Sequence, residues 1–223
     1  MRPRGELGTQ DVMRRCVRHL LQAMLNSSTT GTNVRDSYHI ALITYSSKVL
    51  DLYHGIKSLT EIARLGSPML NDSEPVTEVA AGFSRVEQLL DKNLHTYENC
   101  PAPVVCHITT DERPTGVDPE PIATRIRQMR VQDGNVLIQT IVCSSWPAIS
   151  QVTTQKDWPG VTNVGELPEA YVRQLYAMSS PLPASRHSNL REYGYHIDPD
   201  AVMIWPGAYP NLPACCLPLT STS

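Results

Sequence analysis

Four consecutive residues are best placed to do chemistry. Thr109-Thr110-Asp111-Glu112 closes the apolar run Val104-Val105-Cys106-His107-Ile108. Two hydroxyls beside two carboxylates make a hard-oxygen set of the kind that holds Mg²⁺ or Ca²⁺. The same residues are equally the makings of an ordinary loop in which Asp111 caps the next turn. An enzymatic use of the set is metal-assisted hydrolysis by Asp111 and Glu112. The common enzyme signatures are missing: no GxGxxG follows a strand, and neither GxxxxGK[ST], HExxH nor GxSxG occurs. Seven histidines (19, 39, 54, 95, 107, 187, 196) are scattered without ligand spacing, and His107, inside an apolar run, reads as a hydrogen-bonded sheet histidine. The six cysteines (16, 100, 106, 143, 215, 216) include no CxxC pair and no zinc-like spacing. Cys106 and Cys143 lie in apolar runs and read as small buried hydrophobes.

The elements that must carry these residues follow from periodicity. Residues 10–25 place Val12, Met13, Cys16, Val17, Leu20, Leu21 and Met24 on one face, with Arg14, Arg15 and Arg18 turned to water, which predicts an amphipathic helix. Residues 26–33 read as a polar loop. Residues 40–45 (IALITY) read as a buried strand, and residues 48–53 as its hairpin partner across Ser46-Ser47. Residues 58–65 predict a short helix capped by Ser58, with Glu61 at the capping-box position. Residues 77–90 predict a second long helix that buries Val79, Ala80, Phe83, Val86 and Leu90. Residues 104–108 and 136–142 predict two further buried strands. Between them a helix opens with Asp118 as N-cap and Pro119 at the first position, burying Ile122, Ile126 and Met129. Residues 167–178 predict one more helix, burying Tyr171, Leu175 and Met178. Ten of the 18 prolines lie after Ser145, so residues 181–223 read as a Pro-rich C-terminal extension whose last stretch, 205–223, is an extended tail, with a short edge strand at 201–205.

Strands alternating with amphipathic helices predict an α/β fold, a mostly parallel sheet with helices on both faces. At 41% hydrophobic and 18% charged residues over 223 positions, the chain has the composition of a globular protein. A net charge of -3 gives no reason to expect nucleic acid or an anionic membrane as partner. No apolar run is long enough to span a bilayer, and the first ten residues lack the apolar core of a signal peptide, so a cytoplasmic location is expected. The glycosylation sequons at Asn26 and Asn71 carry little weight without such a signal.

The segments IALITYSSKV, VTEVAAGFSRVEQLL, PAPVVCHITTDERPTGVDPEPIATRIRQM and DGNVLIQTIV, in this order and spacing, resemble a von Willebrand factor A (vWA) domain of the stand-alone bacterial kind. The resemblance covers roughly residues 9–180 and extends to LPEAYVRQLYAMSSPLP. It implies a Rossmann-like parallel sheet and a metal-ion-dependent adhesion site at the sheet's rim. It implies Thr77 and Asp111 as two of the ligands of a Mg²⁺ ion that an acidic side chain of a partner protein completes. It also implies a departure, because the DxSxS motif of the family does not occur in the chain. GELGTQDVMRRCV corresponds to the start of the family's first helix, so the first, central strand is expected to be missing between residues 40–45 and 104–108. Two ligands alone would hold Mg²⁺ weakly. Three explanations stay open: a true start upstream of Met1, which is the expected one, a degenerate remnant with no ligand, or another segment such as 201–205 filling the gap. The expected function is non-enzymatic protein–protein recognition, with the hydrolase as the alternative.

Overall fold

The structure is a computed structural model, and it describes residues 8–66, 68, 78–110, 114–143, 155–166 and 170–217. Among the described residues are seven α-helices, one three-stranded parallel sheet and four short antiparallel strand pairs. In chain order these begin with α1 (Thr9–Ser28), β1 (Thr29–Thr30), β2 (Asn33–Val34), β3 (His39–Ile40), β4 (Ile43–Tyr45), β5 (Val49–Asp51) and β6 (Lys57–Ser58). They continue with α2 (Leu59–Leu65), α3 (Val79–Asn93), β7 (Val104–Thr109), α4 (Glu120–Gln128), β8 (Arg130–Val131), β9 (Gly134–Asn135) and β10 (Leu137–Val142). The last are α5 (Ala170–Met178), α6 (Ala184–Glu192), β11 (Ile204–Pro206) and α7 (Asn211–Cys215). No described helix is long and apolar enough to cross a membrane.

Two compact units share the chain. The first comprises Met1–Leu20, Cys106–Glu112 and Gln139–Cys216; the second comprises Leu21–Val105, Arg113–Ile138 and Leu217–Ser223.

Within the second unit, α3 packs against α4 and against the β4–β5 hairpin. The hairpin at Ser46-Ser47 forms as expected, pairing Ile43 with Asp51 and Tyr45 with Val49. The expectation of a buried strand over 40–45 is corrected. The run breaks at Ala41-Leu42 into β3 and β4, and both join antiparallel pairs rather than the parallel sheet. The physical reason is visible in its burial, since residues 40–45 are only half-buried and a sheet strand covered on both faces would be fully buried. The predicted loop at 26–33 also differs: α1 runs on to Ser28, and a tight hairpin follows with Gly31 at φ 61°. Ser58 caps α2 with the full capping box, its hydroxyl accepting from Glu61 N while the Glu61 carboxylate accepts from Ser58 N. Asp118 does its expected work one residue early, accepting from Glu120 N at 2.9 Å while Pro119 occupies the N-cap of α4. On α3 the buried residues Val79, Ala80, Gly82, Phe83 and Leu89 depart from the predicted stripe towards its C-terminal end, where Val86 is only half-buried and Leu89 replaces Leu90.

The parallel sheet runs in the order β11-β10-β7. Thr140 stands opposite Ile204, and Val142 opposite Pro206, in parallel register. β7 is parallel to β10, because Pro103 O accepts from Leu137 N and Thr109 O accepts from Cys143 N at the same sequence offset. The edge strand foreseen at 201–205 is thus present as β11, but it pairs with β10 and not beside β7, so it fills no gap between 40–45 and 104–108.

The reading of 205–223 as an extended tail is corrected for residues 205–217. Residues 201–207 are buried without exception, and Trp205, Leu212 and Cys216 are fully enclosed. Proline here opens elements as well as ending them: Pro183 and Pro210 sit at the N-caps of α6 and α7, and Pro206 closes an edge strand where its missing N–H costs nothing. Trp158 locks β11 from one side by donating its indole N–H to Ile204 O. α5 buries Tyr171, Val172, Leu175 and Met178, which includes all three predicted residues.

Candidate functional site at the carboxyl end of the sheet

Parallel strands deliver their loops to one rim, and ligands of open α/β sheets bind there. In this chain the rim is built where β7 passes through Thr109 to Thr110, β10 through Val142 to Cys143, and β11 through Pro206 to Gly207. All six residues belong to the first unit. Backbone bonds tie the three ends together, Cys143 N to Thr109 O and Gly207 N to Val142 O, each at 2.8 Å.

The side chains at the rim are polar but internally paired. Thr109 Oγ1 lies 3.1 Å from the Tyr171 hydroxyl, and also reaches Thr110 O at 3.3 Å. Burial pushes the Tyr171 phenol up to about 12, and the Thr109 bond opposes that rise. One strand over, the Thr140 hydroxyl meets Ser179 Oγ at 2.8 Å, and Ser179 Oγ donates back to Leu175 O. These contacts fix α5 against the sheet without exposing a hydroxyl to solvent.

Beneath the rim a buried amide links the strands. Gln139, fully enclosed on β10, donates to Cys106 Sγ at 2.9 Å and to Pro213 O at 3.4 Å, and accepts from the Trp205 indole N–H at 3.0 Å. His107 on β7 is buried as expected for a sheet histidine, and burial drives its ring down to about 4, so it is neutral at pH 7. Cys106 and Cys143 are half-buried and buried thiols; burial raises Cys106, while the neighbouring Cys16 and then burial raise Cys143. A third thiol, Cys16 of α1, donates to Gly207 O at 3.2 Å.

The sequence-predicted metal ligands, Thr77 and Asp111, lie outside the described residues, as does Glu112. In sequence, Asp111 directly follows Thr110 at the end of β7. Among the described residues no group of three or more His, Cys, Asp or Glu is arranged to hold a metal ion. Sequence reasoning missed the Thr109–Tyr171 pair and the meeting of Cys16 with Gly207. Their partners are 62 and 191 residues apart, and no local spacing could reveal either.

The rim and sheet define a mixed α/β protein with a small parallel sheet. The chain matches no protein-family model, no curated protein and no solved structure.

Proposed function

We propose that the chain is a protein-recognition domain that engages its partner at the carboxyl end of the parallel sheet. The single observation behind this reading is the convergence of three parallel strand ends on one rim, with β7 running through Thr109-Thr110 into the acidic pair Asp111-Glu112 in sequence. The resemblance to vWA domains supports the same surface, with Mg²⁺ recruited through Asp111 and an acidic group of the partner as a further ligand. Hydroxyls and one carboxylate leave such an ion short of negative charge, which is why an acidic partner is favoured.

The test is thermal unfolding with and without millimolar Mg²⁺, on the unaltered chain and on Asp111→Ala. A ligand bound only to the native state raises its melting temperature. The unaltered chain should gain stability with Mg²⁺, and Asp111→Ala should lose that gain while its metal-free melting temperature stays nearly the same. An equal Mg²⁺ response in both proteins would reject Asp111 as a ligand. No response in either would leave recognition at the rim metal-free. Capture of a binding protein that the Asp111→Ala chain retains equally well would move the contact away from this rim.

A further inference from the structure

Two buried thiols flank one glycine. Cys16 Sγ is 3.2 Å from the carbonyl oxygen of Gly207. A methyl group placed on Gly207 would stand 2.6 Å from Cys143 Sγ and 3.1 Å from Cys143 Cα. Cys143 and Gly207 follow the ends of adjacent strands, and Cys16 approaches the same point from α1. The two thiols perturb each other's ionisation, and both cysteines are free and enclosed. All three residues belong to one compact unit.

We propose that Cys16 and Cys143 are a disulfide-forming pair, oxidised by hydrogen peroxide to a cross-link that ties α1 to the carboxyl end of β10. This inference does not depend on the proposed partner surface. Glycine at 207 is part of the device, because a side chain there would collide with Cys143 Sγ.

The roles within the pair are unequal. The bond from Cys143, aided by the neighbouring Arg15 charge, lowers the Cys16 thiol against the opposing effect of burial. Cys143 itself is raised, as are Cys106, Cys215 and Cys216. The thiolate is the nucleophile, and the proposal gives that part to Cys16. Its sulfur takes one oxygen of peroxide, the O–O bond breaks, and the departing hydroxide gains a proton to become water. Cys16 is then a sulfenic acid. The Cys143 sulfur attacks it, the S–O bond breaks, and the proton lost from Cys143 leaves with the hydroxyl as a second water. Two thiols and one peroxide thus give one disulfide and two waters, the peroxide accepting both electrons. A small uncharged oxidant suits a pair without solvent exposure.

The experiment treats the full chain with a small excess of hydrogen peroxide, unfolds it in an alkylating reagent, and maps the cysteines by mass. The expected result is a linked Cys16–Cys143 peptide with the remaining four of the six cysteines alkylated. The bond closes a loop of about 130 residues, so the melting temperature should rise by roughly 10 °C and fall back on reduction. Cys16→Ser and Cys143→Ser should each abolish the link, and mapping of the unaltered chain decides the matter even where a variant folds poorly. Six alkylated cysteines, a link joining Cys106, Cys215 or Cys216 instead, or sulfinic acid at Cys16 without a link would each overturn the assignment.

Discussion

Gln139→Leu replaces a buried amide by an apolar group of similar size. The change removes the acceptor of the Trp205 indole N–H and the donors to Cys106 Sγ and Pro213 O. Gln139 and Trp205 are both fully enclosed, so water cannot substitute, and each orphaned buried group costs about 1–3 kcal/mol. A total loss of about 2–4 kcal/mol is expected, equivalent to a melting temperature lower by roughly 5–15 °C for a chain of this size. Trp205→Phe orphans the other end of the same bond and opens a small cavity, for a similar loss of about 2–4 kcal/mol. The decisive variant carries both changes. With neither partner left to be unsatisfied, it should be more stable than the sum of the single losses by about 1–2 kcal/mol. Urea unfolding followed by far-ultraviolet circular dichroism gives the three midpoints, and an unchanged m-value licenses the comparison. Losses that add to within about 0.3 kcal/mol would refute the coupling and with it the claim that this amide joins β10 to β11.

Other substitutions test separate parts of the fold. Gly82→Ala should destabilise α3, although alanine ordinarily gains about 1 kcal/mol over glycine within a helix. The added methyl would meet the Tyr45 ring at 2.7 Å, and a stabilised variant in thermal unfolding would show that contact to be slack. Ser58→Ala should cost about 1 kcal/mol through loss of the capping box, read as a shift in the urea midpoint. His107 has a folded pKa near 4 against an ordinary 6.5, so the unfolded chain binds the extra proton between these values. Stability from this group is therefore complete above pH 6.5 and is lost as pH falls towards 4, by roughly 3 kcal/mol in all. His107→Leu should flatten that part of the stability–pH curve, and identical slopes for both proteins between pH 7 and pH 4 would dismiss the burial effect.

Where local pattern and tertiary environment agree, the sequence was sufficient. The α1 stripe through Cys16 and Leu20, the β-branched runs of β7 and β10, and the Ser58 capping box all express short-range rules that the fold leaves intact. Residues 40–45 have the composition of a buried strand, but nothing local told that they would be half-buried and divided between two antiparallel pairs. In residues 205–217 the prolines suggest an extended tail, because in sequence a proline shows only as a breaker. α6 ahead of them adds no periodic signal either, since Leu190 is its one buried residue. The candidate rim was legible only in part. The polar end of β7 could be read from Thr109 and Thr110, whereas Tyr171, Cys16 and Gly207 arrive there through contacts of long sequence separation.

The interleaving of the two compact units has a consequence for synthesis. The chain passes between them after Leu20, Val105, Glu112, Ile138 and Cys216, so neither unit is a continuous stretch that could be expressed alone. On the ribosome, the first twenty residues emerge long before Gly207, which the Cys16 thiol must reach across 191 positions. The unit that holds Cys16 can close only after β11 has been made. Until then Cys16 lacks its bond to Gly207 O, and a chain halted short of β11 is a natural client for chaperones or proteases.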